Sequence, residues 1–530
     1  MTRWDASSRT DSADAMTAAR PDPMGAQLGR GVSWLMVAAA LGKAGALVSN
    51  IVLGWVLLKQ DFGLFAFAAG VAGFASVFRD GGVRQLIIQR GQRRYRRLSG
   101  PAFWLSVTMS GAAGAILAVL GPVFAIGSGK PVASLLAVMG LGVALAGAAA
   151  VYRGKIAVDL QYRRLAELNA LVSFTRYGSM IVLALLGFGA MSLALPWVIV
   201  AVVEFAFGWW VTRDAPWTRP PGLRAWPAIL KRTVWLIVGQ IGISLINTGD
   251  YLVLSLLQAA GVVGVYYFAF QLIDQTNVLL AVSLQTALFP ALSVLAGEPK
   301  RHAQGVVRSA RVMMVVGTAL ALGTACTIGP LEQLIWRFKW IDAVVPVQIL
   351  ALFFPLRMMM VVYNSAMMSR GLFVPRAVQM MIIAAGVMLT AGIVGAYTGD
   401  VDHISLALGA YHGVVAFGLM VVAMRAVNVR PLAFLGAVLP ALAIGVGAMA
   451  ASVWIDALWT LPAVARATDS DPSLEIPLAI ARLIALGGVF TLLYVAGMRA
   501  ARPGDLQTVI NVIPGRVRAT VRRVLLLKPA

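Results

Sequence analysis

The chain has 530 residues, 59% hydrophobic and only 12% charged, with a net charge of +22. A water-soluble domain carries about 25% charged residues, so this composition excludes one and points to a membrane protein. Cys326 is the lone cysteine, which excludes an intrachain disulfide and a thiolate metal site.

A bilayer core of roughly 30 Å takes about 20 apolar residues per helix. In lipid every backbone polar group must be paired locally, so continuous apolar runs predict helices, whereas a β-barrel would alternate. Residues 1–32 are polar, lack a signal peptide and read as a cytoplasmic tail. Six apolar spans follow, at about 33–58, 62–88, 101–126, 132–152, 166–187 and 190–212. After a cytoplasmic linker at 213–232 come 233–257, 262–290, 308–329, 345–368, 377–398 and 404–424, then 432–455 and 476–497. The expected fold is an all-α polytopic membrane protein of about 14 transmembrane helices. It has an N-lobe (33–212), a C-lobe (233–425), two C-terminal helices within 426–497 and a basic cytoplasmic tail at 498–530, of which Gly504 to Lys528 reads as an amphipathic segment able to lie flat on the inner surface.

Charge predicts the orientation. With the amino terminus inside, 33 of the 44 lysines and arginines fall in or beside inner segments and 5 in outer loops. Cations concentrate in cytoplasmic loops, so both termini are expected in the cytoplasm. The same rule accounts for the net charge and predicts attraction to anionic membrane lipids. Nucleic acid is not an expected partner, because the basic residues are scattered along the chain.

An internal repeat is visible. Trp34-Leu35-Met36-Val37 resembles Trp235-Leu236-Ile237-Val238, and the same offset of 201 aligns Gly63–Ala68 with Gly264–Ala269. Span 1 then matches span 7 and span 2 matches span 8. Both members of each pair cross the membrane in the same direction, which predicts two parallel six-helix halves with a site at their interface.

Charge buried in a span costs roughly 2.5–3.5 kcal/mol on insertion scales and marks candidate function. Lys43, Arg176, Asp250, Asp274 and Arg357 fall near mid-span, and Arg79 and Arg84 nearer the inner side. Arg482 is expected to reach out to the surface. Polar stripes accompany them: Gln240, Ser244, Asn247 and Tyr251 on span 7, and Tyr267, Gln271 and Asp274 on span 8. Asn169, Ser173 and Arg176 do the same on span 5, and Arg357 and Asn364 on span 10. At the repeat offset Lys43 matches Ser244, and Asn50 matches Tyr251. These faces predict a wet cavity lined by Lys43, Arg176, Arg357, Asn50, Asn247 and Gln271. Arginine grips phosphate bidentately and lysine acts as a point charge, so the cations suit an anionic diphosphate. Asp250 and Asp274 read as counter-ions or as a proton or sodium site. In the structural alternative, Lys43 or Arg176 simply pairs with one of these acids. No phosphate-binding loop, large outer loop, metal set or cofactor motif is present, and the three histidines fall in loops or near helix ends. An enzyme is not expected.

Phe62-Gly63-Leu64-Phe65, followed by Arg79-Asp80-Gly81-Gly82-Val83-Arg84-Gln85, resembles the polysaccharide transporter family. These are the O-antigen and exopolysaccharide flippases of the multidrug/oligosaccharidyl-lipid/polysaccharide exporter superfamily. Arg163-Arg164-Leu165-Ala166, Thr248-Gly249-Asp250-Tyr251 with Gly264-Val265-Tyr266, and Phe289-Pro290-Ala291-Leu292 agree in order. The resemblance implies two six-helix lobes, two added helices and alternating access to a cationic lumen. It also implies ion-coupled export of undecaprenyl-diphosphate-linked oligosaccharide across the bacterial inner membrane, alongside glycan polymerase machinery. Asp80, Gly82, Arg84 and Asp250 are the matching motif positions. The alternatives are a multidrug/cation antiporter of the same superfamily, which would want an acidic lumen, and a polytopic glycan polymerase or ligase, which would want a large catalytic outer loop.

Overall fold

A computed structural model describes residues 23–79, 87, 92–128, 131–460 and 475–512. Asp80, Gly82 and Arg84, the side chain of Arg79, the start of the amino-terminal tail and the basic tail from 513 lie outside the described residues.

Among the described residues the chain is helical, without strands. The first half holds α1 (Pro23–Val56), α2 (Lys59–Ser76), α3 (Gln92–Ser128), α4 (Ala133–Val158), α5 (Tyr162–Leu185) and α6 (Met191–Thr212). The second holds α7 (Trp226–Leu257), α8 (Ala260–Val294), α9 (Pro299–Trp336), α10 (Val344–Ser369), α11 (Phe373–Tyr397) and α12 (Val401–Val427). A π-turn at Tyr411–Ala416 interrupts α12. Then follow α13 (Pro431–Ile455), α14 (Glu475–Ala501) and the short α15 (Pro503–Val512). Twelve helices among the described residues are long and apolar enough to cross a membrane. The second and eighth expected spans coincide with α2 and α8, which are not among those twelve, so the count of fourteen turns on these two.

The two halves pack by the same scheme. In the first, α1 lies on α5, α3 on α4 and α4 on α6; in the second, α7 lies on α11, α9 on α10 and α10 on α12. Both α13 and α14 pack against α9. Lipid offers no hydrophobic drive for helices to associate, so close approach through small residues holds such bundles. At the α3–α4 crossing a Cβ on Gly114 would lie 2.3 Å from the Gly140 carbonyl oxygen.

The halves meet through α1, α2, α7 and α8: α2 packs on α7 and α8, and α1 on α8. One end of this interface is sealed by the α9–α10 turn. Trp340 Nε1 donates to Gly54 O at 2.9 Å, and Trp336 Nε1 to Ile51 O at 3.2 Å. Lys339 Nζ donates to Trp55 O and Leu57 O, at 2.8 and 2.7 Å, which caps carbonyls left open at the end of α1. The Trp340 ring stacks on Phe268 at 3.8 Å and meets Phe62 edge-on at 5.3 Å. Lys59 closes the seal with an ion pair to Asp342 at 2.5 Å.

At the opposite end, the linker after α6 is docked and not loose. Asp214 accepts from Tyr95 Oη at 2.8 Å and from Arg219 Nη2 at 2.5 Å, with Lys155 Nζ 3.9 Å away. Burial raises the Asp214 carboxyl, but these hydrogen bonds and charges outweigh it and hold the group below its ordinary value. The described part of α15 packs on α9 and α14, with Leu506 and Ile510 buried and Asp505 paired to Arg311 at 3.1 Å. This first part of the expected membrane-surface segment, up to Val512, packs on protein, and the remainder lies outside the described residues.

Candidate functional site

The polar groups of the inter-half contact are built on α8 and received by α1. Side chains four residues apart share a helix face. On α8 this makes a ladder: Gln271 Nε2 donates to Tyr267 Oη at 2.9 Å, and Gln275 Nε2 to Gln271 Oε1 at 3.4 Å. Lys43 of α1 completes it by donating to Gln275 Oε1 at 3.5 Å. Within this ladder the Lys43–Gln275 bond crosses between the halves, and the other two bonds lie along α8.

The charges gather around that ladder. Asp274, one residue from Gln275, lies within electrostatic reach of Lys43 and Arg357, and Lys43 within reach of Arg176. Arg176 is carried on α5, which packs on α1 with Ser173 against Gly42. The repeat relates Asp274 to Gly73 and Lys43 to Ser244. The same two positions face each other in the other half of the repeat, where a Cβ on Gly73 would lie 3.5 Å from Ser244 Oγ. The charges therefore occupy one of two equivalent positions, and the site is electrostatically lopsided although its scaffold is symmetric.

Arg357 enters from α10. Its Nη2 donates to Asn247 Oδ1 on α7 at 2.8 Å, and its guanidinium lies over the Phe270 ring at 4.4 Å. The residue is only 9% exposed. Its Nη1 is buried with no hydrogen-bond partner among the described residues. A buried donor left unmatched costs about 1–3 kcal/mol, more when charged, so this is a group with binding capacity to spare.

Asp250 sits deeper, at 1% exposure. Its Oδ2 accepts from Tyr266 Oη at 2.8 Å and its Oδ1 from Tyr251 N at 2.9 Å, within a cluster of Tyr251, Tyr266, Tyr267 and Phe270 rings. Arg357 is again the cation in reach. Asn50 holds a buried Nδ2 without a partner among the described residues, as does the Oη of its repeat mate Tyr251.

Several groupings differ from the sequence reading. Asn364 accepts from Arg376 Nε at 2.7 Å, and Arg376 is a buried residue of α11 and not a loop cation. Asn169 is held by Arg153 Nη1 at 2.9 Å, and Arg153 also pairs with the buried Glu204. Arg482 is clamped by both oxygens of Asp456, at 2.8 and 2.5 Å, instead of reaching out to the surface. His412 lies inside α12, buried in the π-turn, with both ring nitrogens unpartnered among the described residues. Sequence reasoning missed Gln275 and His412. The i+4 register from Gln271 could have revealed the first; the π-turn that buries the second has no local signature.

A family model described as polysaccharide biosynthesis protein matches residues 52–345, more than half of the chain. No curated protein matches it. Among solved structures, the chain is similar to the lipid II flippase MurJ in an inward closed conformation, with 11% identity and a TM-score of 0.66, covering 88% of this chain and 99% of that one. It is also similar to an inward-facing multidrug resistance MATE family transporter of the MOP superfamily, with 16% identity, a TM-score of 0.55 and 74% and 95% coverage. A MOP superfamily transporter from Pyrococcus furiosus, described for the reverse polarity of its binding pocket, is 14% identical, with a TM-score of 0.53 and 75% and 95% coverage. At such identities the likeness is one of fold.

Proposed function

The chain belongs to the polysaccharide biosynthesis protein family, and from that premise we propose that it is a flippase for diphosphate-linked polyprenyl oligosaccharides, working by alternating access in the bacterial inner membrane. The observation that carries this reading is the meeting of Lys43, Arg176 and Arg357 around the interface of the two halves. A diphosphate drawn to membrane depth needs cations there, because isolated charge in a low-dielectric medium is prohibitive. Lys43 and Arg176 supply positive charge from the first half and Arg357 from the second, so parting of the halves exposes them together. The spare Nη1 of Arg357 gives the diphosphate a donor that needs no internal bond broken.

On the orientation that loop charge favours, the seal made by Trp336, Trp340 and Lys339 lies on the outer side, and the halves open inward first. Arg79 and Arg84, whose side chains lie outside the described residues, would capture the substrate near the inner surface, and Asn50, Asn247 and Gln271 offer hydrogen bonds to phosphate or sugar. Asp274 and Asp250 serve as counter-ions that release the cations to the substrate and take up a proton or sodium ion in exchange. The lipid tail stays in the bilayer, and no bond is made or broken. The product would feed exopolysaccharide, capsule or O-antigen assembly. The two buried acids and the likeness in fold to a MATE transporter favour, as a second reading, an antiporter of organic cations.

The test is flipping in proteoliposomes. A diphosphate-linked polyprenyl oligosaccharide should become exposed to an impermeant sugar-oxidising reagent faster with protein than without. The Lys43→Gln/Arg176→Gln/Arg357→Gln variant should lose that acceleration while remaining folded. Wild-type flipping by this variant would sink the assignment. Efflux of organic cations with no flipping would establish the antiporter instead.

A further inference from the structure

Away from the inter-half interface lies a second concentration of cations. A pocket of about 620 Å³ is bounded by the first turns of α9, the α12–α13 turn and α15. Lys300, Gln304, Arg308 and Arg311 face it from α9, Asn428 and Arg430 from the turn, and Thr508 from α15. The α9 residues recur at i, i+4, i+8 and i+11, so one helix face delivers three of the four cations. Among the described residues only Arg311 of these four forms an ion pair, with Asp505; no acid lines the pocket.

The backbone adds to the field. Both α9 and α13 begin beside this pocket, at Pro299 and Pro431, and no side chain caps either by a hydrogen bond; Glu298, before Pro299, is paired with Arg301 instead. Uncapped amino-terminal amides carry partial positive charge and attract anions.

Depth identifies the ligand. Helix α9 has 38 residues and is roughly 57 Å long, well beyond the roughly 30 Å of a bilayer core. Its apolar stretch begins at Val312, directly after the last cation of the pocket. With α9 near the membrane normal, Arg308 and Arg311, within about 6 Å of that boundary, lie at the level of lipid headgroups, as does the Asn428 turn between two spans, and Lys300, roughly 18 Å from the boundary, faces the pocket from its water side. Basic pockets between transmembrane helices at this depth suit phosphate-bearing headgroups.

We propose that this pocket binds the headgroup phosphate of an anionic membrane phospholipid. Occupancy would neutralise Lys300, Arg308 and Arg430 and pin the starts of α9 and α13 to one leaflet. The site is separate from the proposed transport path and does not rest on the flippase reading.

The experiment is native mass spectrometry of the full-length protein, delipidated in detergent and titrated with phosphatidylglycerol or phosphatidylcholine. Wild type should hold phosphatidylglycerol at least about tenfold more tightly than phosphatidylcholine, and Lys300→Gln/Arg308→Gln/Arg430→Gln should erase that preference. Equal phosphatidylglycerol binding by wild type and variant would overturn the proposal. So would displacement of the lipid by millimolar inorganic phosphate or diphosphate, which would make the ligand a free anion. Photo-crosslinking of wild type with a headgroup-labelled phosphatidylglycerol needs no variant: labels within 300–311 and 428–433 support the site, and labels confined elsewhere refute it.

Discussion

Gly63 and Gly264 are the two faces of one crossing. A Cβ on Gly63 would lie 1.8 Å from the carbonyl oxygen of Ala260, and a Cβ on Gly264 would lie 1.8 Å from that of Lys59. Gly63 and Gly264 are 201 residues apart, as are Lys59 and Ala260. Each contact is therefore the image of the other under the exchange of halves, and the pseudo-two-fold axis passes between α2 and α8 at this point.

That crossing decides the sign of a mutation. In an ordinary helix Gly→Ala gains about 1 kcal/mol. Here the new methyl meets backbone, which cannot swing aside, and overpacking costs typically 1–3 kcal/mol. Gly63→Ala and Gly264→Ala should each lower the melting temperature in detergent, and to a similar extent. A rise in either would show that the halves do not approach this closely.

The seal should be a gate. Lys59→Cys and Asp342→Cys, joined through disulfides by a short bis-methanethiosulfonate reagent with loss of sulfinate, should stop flipping, and reductive cleavage of the linker should restore it. Background labelling is low because the one native cysteine, Cys326, is buried. Undiminished flipping by the linked protein would mean that this face does not open. Trp340→Ala should act in the opposite direction. It removes the stack on Phe268 and the bond to Gly54, and large-aromatic truncations cost about 3–5 kcal/mol. Cysteine accessibility on the α1–α2 turn should rise in that variant.

Arg357 should not tolerate lysine. An ammonium cannot both reach Asn247 and lie flat over Phe270, and hydrogen bonds to charged groups contribute about 1.5–3 kcal/mol. Flipping by Arg357→Lys should fall at least about tenfold, close to Arg357→Gln. Near-wild-type rates for the lysine variant would mean that charge alone matters at this position.

The docked linker predicts a pH dependence. The Asp214 carboxyl is held below its ordinary value, so its contribution is full above the unfolded value of about 3.9 and is lost as pH falls through the lower folded value. Hydrogen exchange of residues 213–226 should be steady from about pH 7 to 5, at matched intrinsic rates, and accelerate only below about pH 4. Asp214→Asn should show the faster exchange already at pH 7. Equal protection of variant and wild type at pH 7 would remove Asp214 from the docking.

What the sequence determined by itself is whatever lipid makes local. Apolar runs had to become helices because each must satisfy its own backbone, and the 201-residue offset preserved the duplicated order of elements. Mid-span charges stood out against hydrocarbon without any knowledge of their partners. The tertiary structure alone decided which of them meet. Lys43 and Gln275 are 232 residues apart, and Arg357 and Asn247 are 110. Hydropathy does not fix how a helix turns about its axis when lipid and protein neighbours are equally apolar. That rotation gave Asn364 to Arg376, took Asn169 from the stripe with Arg176 and buried His412. It was set by close approaches such as Gly63 on Ala260, which are contacts between segments and leave no pattern within either one.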